Sequence, residues 1–193
     1  MSGDSSGHMG EGFSFTLTDQ EKQYLKGLAR ISILMRLHPE RGKSLPQPPT
    51  DRLRETYGAF VTLKKRGRLR GCIGHVVGDR PLWETVSRMA QSAAFGDPRF
   101  PPVTADEYDE LDLEISILSP LEECPDPRQV QIGRHGLVVR KGVRSGLLLP
   151  QVPVEWKWDR ETFLAHTCLK AGLPETAWKD PDATLLWFEA EVF

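Results

Sequence analysis

The sequence is poor in the features that define several broad classes of protein. Its 193 residues include only three cysteines, Cys72, Cys124 and Cys168, which are far apart and odd in number. A disulfide framework is therefore not expected, and a reducing compartment is favoured. No apolar run approaches the roughly 20 residues that a membrane helix needs. We expect no secretory signal, and we expect the protein to be cytoplasmic.

An excess of charge of one sign is also missing. The net charge of -2 argues against broad, charge-driven binding to nucleic acid. The segment 64–70 does carry five cations, and this pattern is most typical of a solvated hairpin tip. No phosphate loop, dinucleotide fingerprint or serine nucleophile motif occurs. The sequence therefore names no cofactor, and nucleic-acid binding is the least favoured of three functional hypotheses.

What is present is the patterning of an α+β protein. Thr18 is predicted to cap a helix that runs to about Leu37, and Asp159 to cap another that ends at Gly172. A further helix begins at residues 79–82 and ends near Gly96. Alternating apolar residues and turn signals predict strands at 59–63, 69–77, 111–117, 136–141, 147–150 and 184–193. Because hairpins dominate, we expect a largely antiparallel sheet flanked by helices.

The first twelve residues differ in composition from the rest of the chain. Residues 1–12 are rich in serine and glycine and have almost nothing to bury, so a disordered tail is expected there. Gly7-His8-Met9 also resembles a remnant of cloning. Residues 13–193 are predicted to form a single domain.

The return strand of the first hairpin contains the most unusual stretch, Leu69-Arg-Gly-Cys-Ile-Gly74. Gly71 and Gly74 interrupt it, and glycine inside a strand marks a bulge or a close approach by backbone or ligand. Arg70 and Cys72 would share one face of a regular strand. A cation near a thiol favours the thiolate and so an active nucleophile. The alternative is that Cys72 is a small buried hydrophobe.

Two other segments supply candidate partners for such a thiol. Asp97 and Arg99 lie in a loop stiffened by three prolines, where they either present charge at a cleft or pair with each other. His135, between two glycines, is a candidate base, metal ligand or structural hydrogen-bonding residue. The candidate catalytic residues are Cys72, His135 and Arg70. A zinc site is not expected, because Cys72-x-x-His75 is only half of the required spacing.

Several motifs together resemble one known family. They lie in the order Leu69–Gly74, Ala93–Pro102, Glu114–Pro120, Gly133–Leu137 and Arg144–Pro153. In this order they resemble the AMMECR family. The prokaryotic form of this family resembles protein A of the AmmeMemoRadiSam system. The resemblance runs from about Phe13 to Phe193. It implies two subdomains with a cleft between them.

The resemblance also implies partners, but it brings no established reaction. Such proteins are encoded near a Memo-type protein and a radical SAM protein. The first hypothesis is therefore modification or biosynthesis of a small molecule with these partners, in a cleft near Cys72. Arg99, Asp97, Gly71 and Gly74 would contact the substrate, since arginine binds carboxylate or phosphate bidentately. The second hypothesis is a binding or adaptor module without catalysis.

Overall fold

The computed structural model describes residues 16–41 and 44–193. The tail predicted at 1–12 lies outside them. The strands form one seven-stranded antiparallel sheet in the order β2-β1-β3-β7-β5-β6, with β4 added to β7. The strands are β1 (Gly58–Lys65), β2 (Arg68–His75), β3 (Leu111–Leu118), β4 (Glu122–Glu123), β5 (His135–Lys141), β6 (Arg144–Leu148) and β7 (Thr184–Val192). The α-helices are α1 (Asp19–Leu37), α2 (Leu82–Phe95), α3 (Gln151–Glu155) and α4 (Arg160–Lys170).

Helix α1 begins where the sequence predicts. The Thr18 hydroxyl accepts a hydrogen bond from the Glu21 backbone N–H, and the Glu21 carboxylate accepts one from the Thr18 N–H. This capping box satisfies two of the backbone donors that a helix start leaves open. Asp159 caps α4 in the same way, through the Thr162 N–H. Both predicted helix starts are confirmed.

The first hairpin contains a bulge that the sequence does not reveal. Arg66 and Gly67 form its turn with φ of 52° and 74°, so the positive φ predicted for Gly67 is confirmed. Leu63 pairs with Gly71, but Lys64 pairs with Leu69. Arg70 is therefore an extra residue on β2 without a partner on β1. Because a bulge breaks the alternation of side chains, Arg70 and Cys72 do not share a face as on a regular strand.

The two glycines of β2 are sites of close approach, as predicted. A Cβ atom at Gly71 would lie 2.2 Å from the carbonyl oxygen of Ala93 in α2. A Cβ atom at Gly74 would lie 2.2 Å from the Phe60 ring. Gly71 thus allows α2 to pack directly against the backbone of β2, and this contact positions the loop that follows α2.

Helices cover one face of the sheet in two groups. Helices α1 and α2 pack on the apolar face of β1 and β3, where Val61, Ile115 and Ile117 are fully buried. Helix α4 packs on β5 and β7, where Phe163 and Leu137 form a second cluster. The expected α+β fold is confirmed. The division into two subdomains stays a prediction.

The opposite face of the sheet carries the Phe60 and Phe188 side chains in a third cluster. Helix α3 lies over this face, where Gln151 contacts Ser116 of β3. This short helix follows β6 directly and was not predicted. The predicted strand runs to Pro150, but Pro150 has helical φ and ψ of -59° and -31° as the N-cap of α3, and Pro153 lies in the first turn, where proline is tolerated. The terminal strand β7 pairs within the main sheet, as predicted.

No helix in the described ranges combines the length and the hydrophobicity that a membrane crossing requires.

The close approach at Gly71 gives a stability prediction. Gly71→Ala should lower the free energy of unfolding by about 3 kcal/mol, because the added methyl group meets a backbone carbonyl that cannot move aside. Gly27→Ala in α1 is the matched control, since nothing lies within 4 Å of its Cβ position. It should raise the free energy of unfolding by about 0.5–1 kcal/mol. Urea unfolding measures both changes. Equal effects at the two positions would contradict the packing described here.

Candidate functional site

Cys72 lies at one end of a polar row that crosses three strands. Register places Cys72 of β2 beside Thr62 of β1, and Thr62 beside Glu114 of β3. The Thr62 hydroxyl donates a hydrogen bond to Cys72 Sγ at 3.2 Å. Glu114 is paired with Lys64 Nζ at 2.9 Å. The half-buried thiol thus faces a hydroxyl donor and is not enclosed by apolar side chains.

The backbone of Cys72 is held by the loop after α2. Its N–H donates to Asp97 Oδ2 at 2.9 Å, and its carbonyl accepts from Arg99 Nη2 at 3.3 Å. Because β2 is the edge of the sheet, these two groups have no neighbouring strand. Asp97 and Arg99 therefore satisfy the backbone as a further strand would. We call this arrangement the edge clamp.

Asp97 and Arg99 are also joined directly. Arg99 Nε and Nη2 donate to the two oxygens of Asp97 at 2.9 and 2.7 Å, and the Arg99 N–H donates to Oδ1 at 3.1 Å. The Asp97 side chain is 2% exposed and that of Arg99 is 53% exposed. The hydrogen bonds from Arg99, and that from the Cys72 N–H, hold the pKa of Asp97 far below its usual range although burial opposes them.

Arg99, and not Arg70, is the cation that faces Cys72. The pKa of Arg99 is raised first by its hydrogen bonds to Asp97 and also by the nearby Cys72 sulfur. Arg70 instead donates from Nε to Glu107 Oε1 at 2.6 Å, in a pair whose side chains are 12% and 16% exposed. No described residue accepts a hydrogen bond from its buried Nη1. The bulge at Arg70 directs it to this pair.

His135 lies far from Cys72. It pairs with Glu189 of β7 and shares the face that α4 covers, whereas Cys72 shares the opposite face with Phe60 and Phe188. Three strands separate β5 from β2. His135 is 7% exposed, and burial lowers its pKa, with Arg134 adding to the effect. The structure therefore does not bring His135 to the thiol, and its predicted catalytic role stays a prediction.

The predicted site residues thus fall into separate places. Cys72, Asp97, Arg99 and the adjacent glycines meet at the edge of β2, whereas His135 does not join them. Arg70 pairs with Glu107, and its guanidinium lies 6.0 Å from the Phe100 ring, which that of Arg99 approaches to 5.5 Å. In the part of the chain that the structure describes, no group of three His, Cys, Asp or Glu side chains is placed to hold a metal ion. All three thiols are free, and burial raises the pKa of Cys124 and of Cys168.

Three residues on or over the face of the sheet that carries Cys72 were not predicted as site residues. Thr62 has no motif of its own, and Glu114 is one of the polar residues that alternate with apolar ones in β3. Gln151 is the third, since its Nε2 lies 3.5 Å from Ser116 Oγ and its buried Oε1 has no partner among the described residues. The alternation of polar and apolar residues in β1 and β3 identifies the polar face of each strand. Only the strand register shows that these polar residues lie side by side in the sheet.

A family model, the related sequences and a solved structure all indicate the same protein family. The AMMECR1 family model matches residues 27–193. Protein MK0488 of Methanopyrus kandleri is 50% identical over 187 residues, which cover 92% of this chain and 89% of the relative. The crystal structure of the uncharacterised protein PH0010 of Pyrococcus horikoshii matches with a TM-score of 0.86 and 44% identity. It covers 92% of this chain and 93% of that protein.

The depressed pKa of Asp97 predicts a pH-dependent contribution to stability. Asp97→Asn should lower the free energy of unfolding by about 2 kcal/mol at pH 7, because an amide cannot accept both backbone donors and the guanidinium. Since the folded-state pKa is lowered, this contribution is present above about pH 4 and is lost as pH falls further. Urea unfolding of both proteins from pH 7 to pH 3 measures the difference.

The matched control is Glu175→Gln, an exposed carboxylate with no ion pair among those the structure describes. It should change the free energy of unfolding by less than about 0.5 kcal/mol. A difference between wild type and Asp97→Asn that stays constant down to pH 3 would show that the Asp97 charge does not hold the edge clamp.

Proposed function

The chain belongs to the AMMECR1 family, and we propose that it binds an anionic small molecule beside Cys72 and modifies it together with partner proteins. The observation that supports this most is the edge clamp. Asp97 fixes a half-exposed guanidinium next to a half-buried thiol. A nucleophile beside a fixed anion-binding group is a common arrangement in enzymes that act on carboxylates and phosphates.

Arg99 supplies the binding group in this proposal. Asp97 occupies Nε and one edge of Nη2, and no described residue accepts a hydrogen bond from Nη1. The second hydrogen of Nη2 donates to the Cys72 carbonyl, so Nη1 is the group of the guanidinium that is free to donate to a carboxylate or phosphate oxygen. Because buried Asp97 orients it, Arg99 loses little rotamer freedom when a ligand binds.

Cys72 supplies the reactive atom. The Thr62 hydroxyl donates a hydrogen bond to its Sγ, and Arg99 holds its backbone carbonyl. No described histidine or carboxylate hydrogen-bonds to Sγ. Thr62 is then a positioning residue, and Arg99 and Cys72 are the residues that contact the substrate.

The partners follow from the family resemblance. A Memo-like protein and a radical SAM protein would supply the metal and redox chemistry, and this chain would supply Cys72 and Arg99. The three free thiols suit the reducing cytoplasm in which such a system would work.

Alkylation of Cys72 by two reagents tests the proposal. Iodoacetate carries the negative charge that Arg99 should attract, and iodoacetamide does not. The ratio of their rates at Cys72 cancels the thiolate fraction, because both attack the same sulfur. Arg99→Gln should lower this ratio about fivefold, the effect of a solvent-exposed charge pair worth about 1 kcal/mol. Mass spectrometry of the Cys72 peptide gives the rates, with buried Cys124 and Cys168 as unreactive references.

Two variants serve as controls. Arg99→Lys keeps the charge and should keep most of the ratio, whereas Arg70→Gln removes a cation that faces Glu107 and should leave it unchanged. Should Arg99→Gln not fold, added salt gives a second measurement, because it should lower the wild-type ratio by screening Arg99. A Cys72 that reacts only after unfolding would contradict the proposal and favour the adaptor hypothesis.

A second function, that of an adaptor, is supported by one feature of α3. Val154 and Trp156 are 54% and 68% exposed, next to the polar face that contains Cys72. An exposed tryptophan beside an aliphatic side chain is typical of a binding hot spot. In this case the partner protein would dock over α3.

This second function predicts that Trp156→Ala weakens binding to the Memo-like partner by at least about tenfold, as removal of a hot-spot tryptophan does. Calorimetric titration of the purified proteins measures this change. Val143→Ala, at the exposed tip of the β5–β6 hairpin, is the control and should have no effect. Equal binding by the two variants would exclude α3 as the docking site.

A further inference from the structure

A cavity of about 580 Å³ lies on the α4 side of the sheet, where β5 begins and β7 approaches its end. It is separate from the edge clamp, because Cys72 lies on the other face and three strands away. The volume is within the range of small-molecule sites. Three arginines, a histidine, two glutamates and a tryptophan contribute to its lining, namely Arg128, Arg134, Arg160, His135, Glu122, Glu189 and Trp187.

His135 presents a fixed hydrogen-bond donor to this cavity. Its Nδ1 accepts a hydrogen bond from the Gln131 N–H at 3.2 Å, so the ring proton of the neutral imidazole is on Nε2. The ring is 7% exposed and packs 4.4 Å from the Trp187 ring. Among the described residues none accepts a hydrogen bond from Nε2. Nε2 is therefore the polar atom of this largely buried side chain that is open to a ligand in the cavity.

The cations of the cavity are not all neutralised by carboxylates. Arg134 is paired with Glu189 at 2.8 Å, and Arg128 with Asp126 at 3.0 Å. Arg160 instead donates from Nη1 to the backbone carbonyl of Arg128 at 2.7 Å, and no described carboxylate forms an ion pair with it. This hydrogen bond orients the guanidinium at the cavity, and its charge also acts on Asp126 and Asp159, whose pKa values it helps to lower.

We propose that this cavity binds a small molecule through a carboxylate or phosphate group, which accepts hydrogen bonds from His135 Nε2 and from Arg160. The Trp187 ring would pack against the apolar part of the ligand. An anion that accepts hydrogen bonds from both residues would give His135 Nε2 and the Arg160 guanidinium a shared partner. This site is additional to the one at Cys72 and does not depend on it.

Titration of the ¹⁵N-labelled full chain with inorganic phosphate, and separately with benzoate, tests the proposal. Nitrogen chemical shifts of the histidine rings are followed by NMR at constant ionic strength, and the His135 signals are identified by their loss in His135→Asn. We expect a saturable shift of His135 Nε2 and no shift of His166, which stacks on Trp158 away from the cavity lining.

Arg160→Gln should weaken this binding at least about fivefold, since it removes the unpaired cation of the cavity. Because Arg160 is exposed, this variant should fold normally. His135→Asn keeps an acceptor for the Gln131 N–H but loses Nε2, so calorimetry should detect no binding. Cys72→Ser should bind as the wild type does, which separates this site from the proposed function.

The two probes distinguish the sources of the anion. A response to phosphate alone would support a phosphorylated ligand, and a response to benzoate alone a carboxylate. A response to both would support a site for either group. The proposal is wrong if His135 responds to neither probe, or if Arg160→Gln binds as tightly as the wild type.

Discussion

The structure around Cys72 depends on one buried carboxylate. Asp97 accepts a hydrogen bond from the backbone of the edge strand and two from the side chain of Arg99. An open edge strand would expose the N–H and carbonyl groups of Cys72 to another chain. Asp97 reaches them because α2 ends at Phe95, two residues earlier, and because Gly71 lets α2 pack against β2 without an intervening side chain. The position of the Asp97 carboxylate therefore depends on both Gly71 and helix α2.

The same carboxylate explains why Arg99 suits two roles. Arg99 is half-exposed, so water screens its attraction to Asp97, and the pair contributes to stability mainly through its hydrogen bonds. The exposed edge of the guanidinium keeps its attraction for an anion in solution. Pairing with Asp97 and presenting charge to a ligand were alternatives at the level of the sequence. The structure shows the pairing, which fixes the orientation of Arg99, and the presentation of charge to a ligand belongs to the proposed function.

The sequence predicts the elements better than their relations. The capping box at Thr18, the cap at Asp159 and the alternation of β3 depend on neighbours within a few residues, and all are confirmed. The prediction that Arg70 and Cys72 share a face fails, because an extra residue in a strand leaves no mark on a short apolar pattern. Helix α3 escaped for a related reason. Pro150 precedes it and Pro153 lies in its first turn, so the sequence pattern does not mark a helix there, and the helix contacts β3 through Gln151 and Ser116.

In the candidate site, too, the sequence predicts local features better than relations between distant elements. Cys72, Asp97 and Arg99 were named from the motifs, and the structure brings them together through short hydrogen bonds. Their relation to His135 depends on the order of strands and on which face each residue occupies, and neither property is local. Strands in a sheet lie about 4.8 Å apart, so the four steps from β2 to β5 amount to about 19 Å along the sheet. A hydrogen bond spans about 3 Å. The structure therefore assigns the thiol and the imidazole to different neighbourhoods. Arg99 contacts the backbone of Cys72, and His135 lines a cavity that Arg160 also lines.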